Sequence, residues 1–122
     1  MSILVDINGT ILKEGKPIHP TVEYLKGIEE DIYVISGSTV SKLEYYSTVL
    51  TNLGINYKQI ILNPINEHTD HSFKTNWASQ IPNLTLAIDN NKKILSLYSR
   101  MGIPIMHPDE IRNGGQPIAT PL

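Results

Sequence analysis

Apolar residues gather along this chain in short unbroken runs. Ile3-Leu4-Val5, residues 32–35, residues 60–62 and residues 84–88 are each closed by small or polar positions. Continuous rather than alternating runs predict strands covered on both faces, and the intervals between them are long enough for crossover helices. The predicted order is β-α-β-α-β-α-β. It describes an α/β fold, a three-layer sandwich built on a mainly parallel, Rossmann-like sheet.

The intervals carry helical periodicity. After His19-Pro20-Thr21, the positions Val22, Tyr24, Leu25 and Ile28 predict a first helix that tolerates proline at its start. From Ser38-Thr39 onward, Val40, Leu43, Tyr46, Val49, Leu50 and Leu53 recur at spacings of three and four until Gly54 stops the run. Among Ser36, Ser38 and Thr39 at least one is expected to cap this second helix. Tyr45 and Tyr46 read as a surface and core pair. A third helix is predicted over residues 72–80, closed by Pro82, with Phe73 and Trp77 packed on the sheet, and a fourth over residues 91–101, closed by Gly102 and Pro104. Residues 103–106 predict a short edge strand, where proline is permitted. Residues 107–122, with Asn113-Gly114-Gly115-Gln116-Pro117, read as a tail or loop.

At 122 residues the chain has the size of a single domain, residues 1–122. Its hydrophobic fraction of 40% argues against disorder, and its net charge of -2 against a strongly basic nucleic-acid footprint, while leaving room for a local basic groove. The absence of cysteine removes disulfides, thiolate metal sites and a cysteine nucleophile. No basic leader precedes Ile3 and no apolar run reaches membrane-spanning length, so a cytoplasmic location without a membrane partner is expected. In His68-Thr69-Asp70-His71 the histidines are three apart in an expected loop, unlike the i, i+4 spacing of helical zinc pairs, so zinc is not expected.

Ligands of an open parallel α/β sheet bind outside the carboxyl ends of the strands. Asp6 follows the first run, Ser36-Gly37-Ser38-Thr39 the second and Asp89-Asn90-Asn91 the fourth, with Lys74 near the start of the third helix. Two carboxylates, hydroxyls and a lysine on one rim have the chemistry to hold Mg2+ and phosphate. In that order the residues acquire a family likeness. The segment Ile3-Leu4-Val5-Asp6-Ile7-Asn8-Gly9-Thr10 resembles the first motif of the haloacid dehalogenase (HAD) superfamily of aspartate-nucleophile phosphatases, an apolar strand followed by Asp-x-Asp-x-Thr. Ile35-Ser36 resembles the second motif, Lys74 the third and Leu86-Ala87-Ile88-Asp89-Asn90 the acidic fourth.

The resemblance implies a Mg2+-dependent, phosphatase-like hydrolase for a phosphomonoester or an activated phosphate. Asp6 would attack phosphorus and form an aspartyl-phosphate that water then hydrolyses. Mg2+ would be held by Asp6, Asp89 and a backbone carbonyl near Asn8; phosphate by Ser36, the amide of Gly37 and Lys74. Asp6, Asn8 and Lys74 would be the catalytic positions.

Asn8 departs from the pattern, since the family phosphatases carry there a second aspartate that protonates the leaving oxygen and later activates water. Loss of a positioned acid or base typically costs about 10²–10⁴-fold in rate. Four readings of Asn8 stay open: a phosphate-binding or interaction module with weakened catalysis, a substrate with a good leaving group, an engineered substitution, or partial deamidation at Asn8-Gly9. P-type ion pumps of the same superfamily also lack an aspartate at this position. Asn90 similarly replaces an acidic residue. Neither insertion point used by HAD cap domains has room for one, because residues 11–18 can form only a small hairpin flap around Lys13-Glu14-Gly15-Lys16. The open pocket that results suits a phosphorylated small molecule, a macromolecular end, or a homo-oligomer in which a neighbouring subunit covers the site.

Overall fold

The computed structural model describes residues 1–63 and 70–112. In chain order they form β1 (Ser2–Asp6), a hairpin of β2 (Leu12–Lys13) and β3 (Lys16–Pro17), α1 (His19–Lys26), β4 (Asp31–Thr39), α2 (Leu43–Asn52), β5 (Gln59–Asn63), α3 (Asp70–Ala78), β6 (Leu84–Ile88), α4 (Lys92–Arg100), β7 (Ile105–Met106) and α5 (Pro108–Arg112). The order of the main sheet is β5-β4-β1-β6-β7, with every neighbouring pair parallel. β1 therefore lies at the centre, between the strands that end near Ser36 and Asp89.

The unbroken apolar runs follow from burial on both faces. All five residues of β1 are buried. Ile3 and Val5 join a core with Val22 and Leu25 of α1 and Tyr46 and Leu50 of α2, while Leu4 joins a second core with Phe73 of α3 and Ile94, Leu95 and Tyr98 of α4. Helices thus cover the sheet on both sides, and each strand must be apolar at successive positions. The α4 start is fixed locally: the Asn91 side chain accepts from the amides of Lys93 and Ile94 at 2.9 and 3.2 Å.

Two expectations need correction. The second helix starts later than its periodicity predicts, because β4 runs on to Thr39 and a 3-10 turn, Val40–Lys42, intervenes before Leu43. Val40 and Leu43, placed by that period on the buried face, are 53% and 48% exposed. Neither Thr39 nor Lys42 makes a side-chain cap bond. The hydroxyls are engaged elsewhere: Ser36 Oγ accepts from the amide of Ser38, Ser38 Oγ pairs with the Tyr46 hydroxyl, and Thr39 Oγ1 pairs with Ser41 Oγ. The second correction concerns the expected tail of residues 107–122, whose first part is α5. Pro108 opens this helix, the Asp109 amide donates to His107 Nδ1 at 3.0 Å, and buried Ile111 belongs to the same core as α1.

Residues 113–122 lie outside the described residues, as does His68 of the zinc reading. Among the described residues, no helix is long and apolar enough to cross a membrane.

Candidate active site

Asp6 is the last residue of β1, and Asp89 follows β6 directly, so parallel pairing of these neighbouring strands brings the two carboxylates to the same sheet edge. Lys74 arrives from α3. Its Nζ donates to Asp6 Oδ1 at 2.9 Å and to Asp89 Oδ2 at 2.8 Å, and all three side chains are nearly inaccessible to solvent. The remaining oxygens are also engaged: Thr10 Oγ1 donates to Asp6 Oδ2 at 3.1 Å and the Asn91 amide donates to Asp89 Oδ1 at 2.9 Å. A turn-forming role for Asp89 and a role in the site therefore coexist.

Two buried carboxylates face one ammonium, an imbalance of one negative charge. Desolvation, then repulsion from Asp89, push the Asp6 carboxyl from 3.8 up to about 7, against the opposing pull of Lys74 and Thr10. Burial works against the Lys74 ammonium, but attraction to Asp6 and Asp89 outweighs it and carries its pKa up to about 12. The cluster is short of positive charge, as a site that receives a cation should be.

On the other side of Asp6, β4 leaves the regular ladder. Ser36 pairs with Leu62, but the next partner of β5 is Thr39 rather than Gly37, so Gly37 and Ser38 bulge towards the cleft. The cleft, of about 540 Å³, is lined by Asp6, Asn8, Ser36, Gly37, Ser38, Lys74, Asp89, Asn90 and Asn91. Asp6, Asn8, Ser36, Gly37, Lys74 and Asp89, all expected at the site from the sequence, thus meet here, whereas Thr39 at the same strand end turns to Ser41 instead.

One participant, Tyr46, is not expected at the site from the sequence, and another, Asn90, does more than stand in for an acidic residue. Tyr46 is buried as expected, yet its hydroxyl reaches the site: Asn8 Nδ2 donates to it at 3.2 Å and to Ser36 Oγ at 3.3 Å, and Ser38 Oγ lies 3.1 Å from it. A tyrosine at a core position needs a partner for its hydroxyl, which was the available signal. Asn90, placed by the sequence at the end of β6, reaches both Asp6 and the Asn8 carbonyl. With its amide nitrogen facing them, Asn90 donates to Asp6 Oδ2 at 2.9 Å and to the Asn8 carbonyl at 3.3 Å.

That same contact tests whether the residues fit Mg2+. Turned so that its oxygen faces the pair, the Asn90 amide would complete a set of three oxygens with Asp6 Oδ2 and the Asn8 carbonyl. Oxygens on adjacent corners of a Mg2+ octahedron lie about 2.9 Å apart, given bonds of about 2.0–2.1 Å. Among the described residues there is no cluster of three or more His, Cys, Asp or Glu suited to a metal. Mg2+ does not require one, because it binds through one or two carboxylates and keeps several waters. The donor set fits.

No protein family model matches the chain, and no curated protein matches it. Among solved structures, one chain of the Pnkp1/Rnl/Hen1 complex has a TM-score of 0.76 at 16% identity, with 87% of this chain and 45% of that chain covered. A chain from a second structure, of the Pnkp1/Rnl/Hen1 RNA repair complex, has a TM-score of 0.74 at 15% identity over 87% and 41%. The protein spans less than half the length of either. At such identities the likeness is one of fold, and it establishes the α/β, Rossmann-like architecture.

Proposed function

We propose that this protein is a Mg2+-dependent, phosphatase-like hydrolase of haloacid dehalogenase type, with Asp6 as nucleophile towards a phosphomonoester or an activated phosphate. The observation that carries the reading is the convergence of Asp6, Asp89 and Lys74 with Ser36 and Gly37 in one open cleft. Mg2+ would be held by Asp6, the Asn8 carbonyl and the Asn90 amide oxygen, with the Asp89 carboxylate as a further ligand; when bound it supplies positive charge that offsets repulsion between carboxylate and phosphate. Lys74 and Thr10 fix the rotation of the Asp6 carboxylate, which aligns it for attack on phosphorus. The Ser36 hydroxyl and the Gly37 amide donate to phosphate oxygens, and Lys74 offsets charge there. As the Asp6–phosphorus bond forms, the P–O bond to the leaving group breaks, and that group departs as its oxyanion or takes a proton from solvent. Water then attacks phosphorus, the bond to Asp6 breaks, and phosphate is released with the water's proton passing to solvent.

The similar chains belong to an assembly described as an RNA repair complex. A phosphate at the end of a macromolecule is accordingly within the proposed substrate range, and an open cleft admits it as readily as a small ester. Turnover of p-nitrophenyl phosphate and acetyl phosphate with and without Mg2+ tests the reading, together with capture of phosphate on Asp6. Turnover that survives Asp6→Ala would overturn it.

The second reading, a phosphate-binding or interaction module with weakened catalysis, is favoured by one observation. Asn8 is built into the site through bonds to Ser36 and Tyr46, so the amide is part of a settled network. Phosphate binding without hydrolysis of any ester or acyl phosphate would select this alternative.

A further inference from the structure

Large hydrophobic residues exposed among the described residues are Met1, Val40, Leu43, Tyr45 and Met101, and three of these five fall within residues 40–45. This segment begins two residues after Ser38, which lines the cleft. The Tyr45 ring, 47% exposed, lies 5.4 Å from the ring of Tyr46, whose hydroxyl bonds to Asn8 and Ser38. One side-chain layer separates an exposed aromatic from the phosphate pocket. The hairpin tip closes in from the other side, since a methyl group built on Gly15 would lie 3.7 Å from the Tyr45 hydroxyl. The Lys42 ammonium lies 5.7 Å from the centre of this ring, and exposed Lys13 and Lys16 flank the hairpin tip in the chain.

We propose that Tyr45, with Lys42 against its ring and the hairpin tip between Lys13 and Lys16 at its hydroxyl, is a nucleoside-binding subsite for a ligand whose phosphate occupies the cleft. The ligand is a nucleoside phosphate, free or at the end of a polynucleotide. The inference rests on the reading of the cleft as a phosphate site. An exposed tyrosine offers a face on which any base can stack, and lysines beside it suit the phosphates that accompany a base. Charge sets the extent of the contact. Glu14 and Glu44 share these segments, so three lysines against two glutamates leave a surplus of one positive charge. That suits one terminal nucleotide better than a long track of backbone.

The test is calorimetric binding of inorganic phosphate, glycerol phosphate, adenosine monophosphate and a phosphate-ended hexanucleotide to the full chain, to Tyr45→Ala and to Tyr45→Phe. The nucleotides should bind the full chain at least about tenfold more tightly than glycerol phosphate. Tyr45→Ala should weaken nucleotide binding by about five- to a hundredfold more than phosphate binding, the range that stacking of one base supplies. Tyr45→Phe should retain the preference. An advantage shared by both nucleotides identifies a mononucleotide ligand; one confined to the hexanucleotide identifies a polynucleotide end. Phosphate binding with no nucleotide preference, or a preference that survives Tyr45→Ala, overturns the subsite and leaves the phosphate pocket standing. Failure to bind any phosphate overturns both. A dimer in sedimentation that Leu43→Ser dissolves would show that the patch is covered by a second copy, and would also overturn the proposal.

Discussion

Replacement of Asp6 by asparagine should remove the proposed nucleophile and yet stabilise the metal-free protein at neutral pH. The folded state holds the Asp6 proton up to about pH 7, whereas a free carboxyl releases it near 3.8. Between these values the native state binds more protons than the unfolded state, so stability falls as pH rises through that window. A difference of about three pKa units corresponds to about 4 kcal/mol by pH 7. Asparagine is neutral and can still accept the Thr10 hydrogen bond, but its amide hydrogens face Lys74 without an acceptor, at about 1–3 kcal/mol. The net gain is about 1–3 kcal/mol at pH 7, and it should shrink and reverse sign towards pH 4. Urea denaturation of both proteins in chelator, from pH 4 to 8, measures it. A variant less stable than the parent at pH 7, or a difference that does not change with pH, would refute the argument that charge burial at Asp6 opposes folding. Added Mg2+ should raise the urea midpoint of the parent and leave the variant nearly unmoved.

Asn8→Asp should raise phosphomonoesterase activity by about 10²–10⁴-fold, most strongly for poor leaving groups, because a carboxyl can protonate the departing oxygen; equal rates on alkyl phosphates would refute this. Lys74→Met leaves two buried carboxylates without their ammonium and should cost about 3–5 kcal/mol above pH 7, measurable by denaturant unfolding and partly restored below pH 5 as the carboxyls take up protons. Gly9→Ala should cost about 1–3 kcal/mol, since φ there is 85° and the new methyl would collide with the Asn90 side chain. Calorimetry should also find weaker Mg2+ binding in that variant, as Asn90 is pushed from Asp6. Deamidation at Asn8 requires attack by the Gly9 nitrogen, which is held against the Leu12 carbonyl at 2.6 Å. Mass spectrometry of the aged folded protein should therefore find slower conversion than in an unfolded peptide, and equal rates would sink that account.

The strand ends were legible because chemistry and burial change abruptly there: an apolar run stops, and Asp6, Ser36 or Asp89 follows. Lys74 was legible through its order among these residues, although its burial between two carboxylates depends on how α3 lies over the sheet. Tyr46 was half legible. Its ring obeys the helical period, but its hydroxyl partner Asn8 is 38 positions away, beyond any periodic signal. The misplacement of Val40 and Leu43 has a local cause, since the apolar spacing runs unbroken across a bulged strand end and a 3-10 turn that do not share the phase of α2. For α5 the start signals were present in His107-Pro108-Asp109-Glu110, but the glycine- and proline-rich stretch after Arg112 outweighed them.

The hairpin of β2 and β3 makes its reversal with two residues, Glu14 and Gly15, at φ 52° and 78°. Its strands belong to neither core layer beyond Leu12, and no strand of the main sheet pairs with it. This is where the molecule can grow. Doubling the length of a surface loop costs only about 0.6 kcal/mol in closure entropy, so an insertion at the tip would leave the five-stranded sheet undisturbed. The tip lies close to the Tyr45 hydroxyl, and Tyr45 neighbours Tyr46, whose own hydroxyl bonds to Asn8 and Ser38 of the cleft, so chain added there would stand near the cleft. A grafted helical pair would roof the open cleft and restrict it to ligands that fit beneath, while the strand-end residues that line it stay as they are.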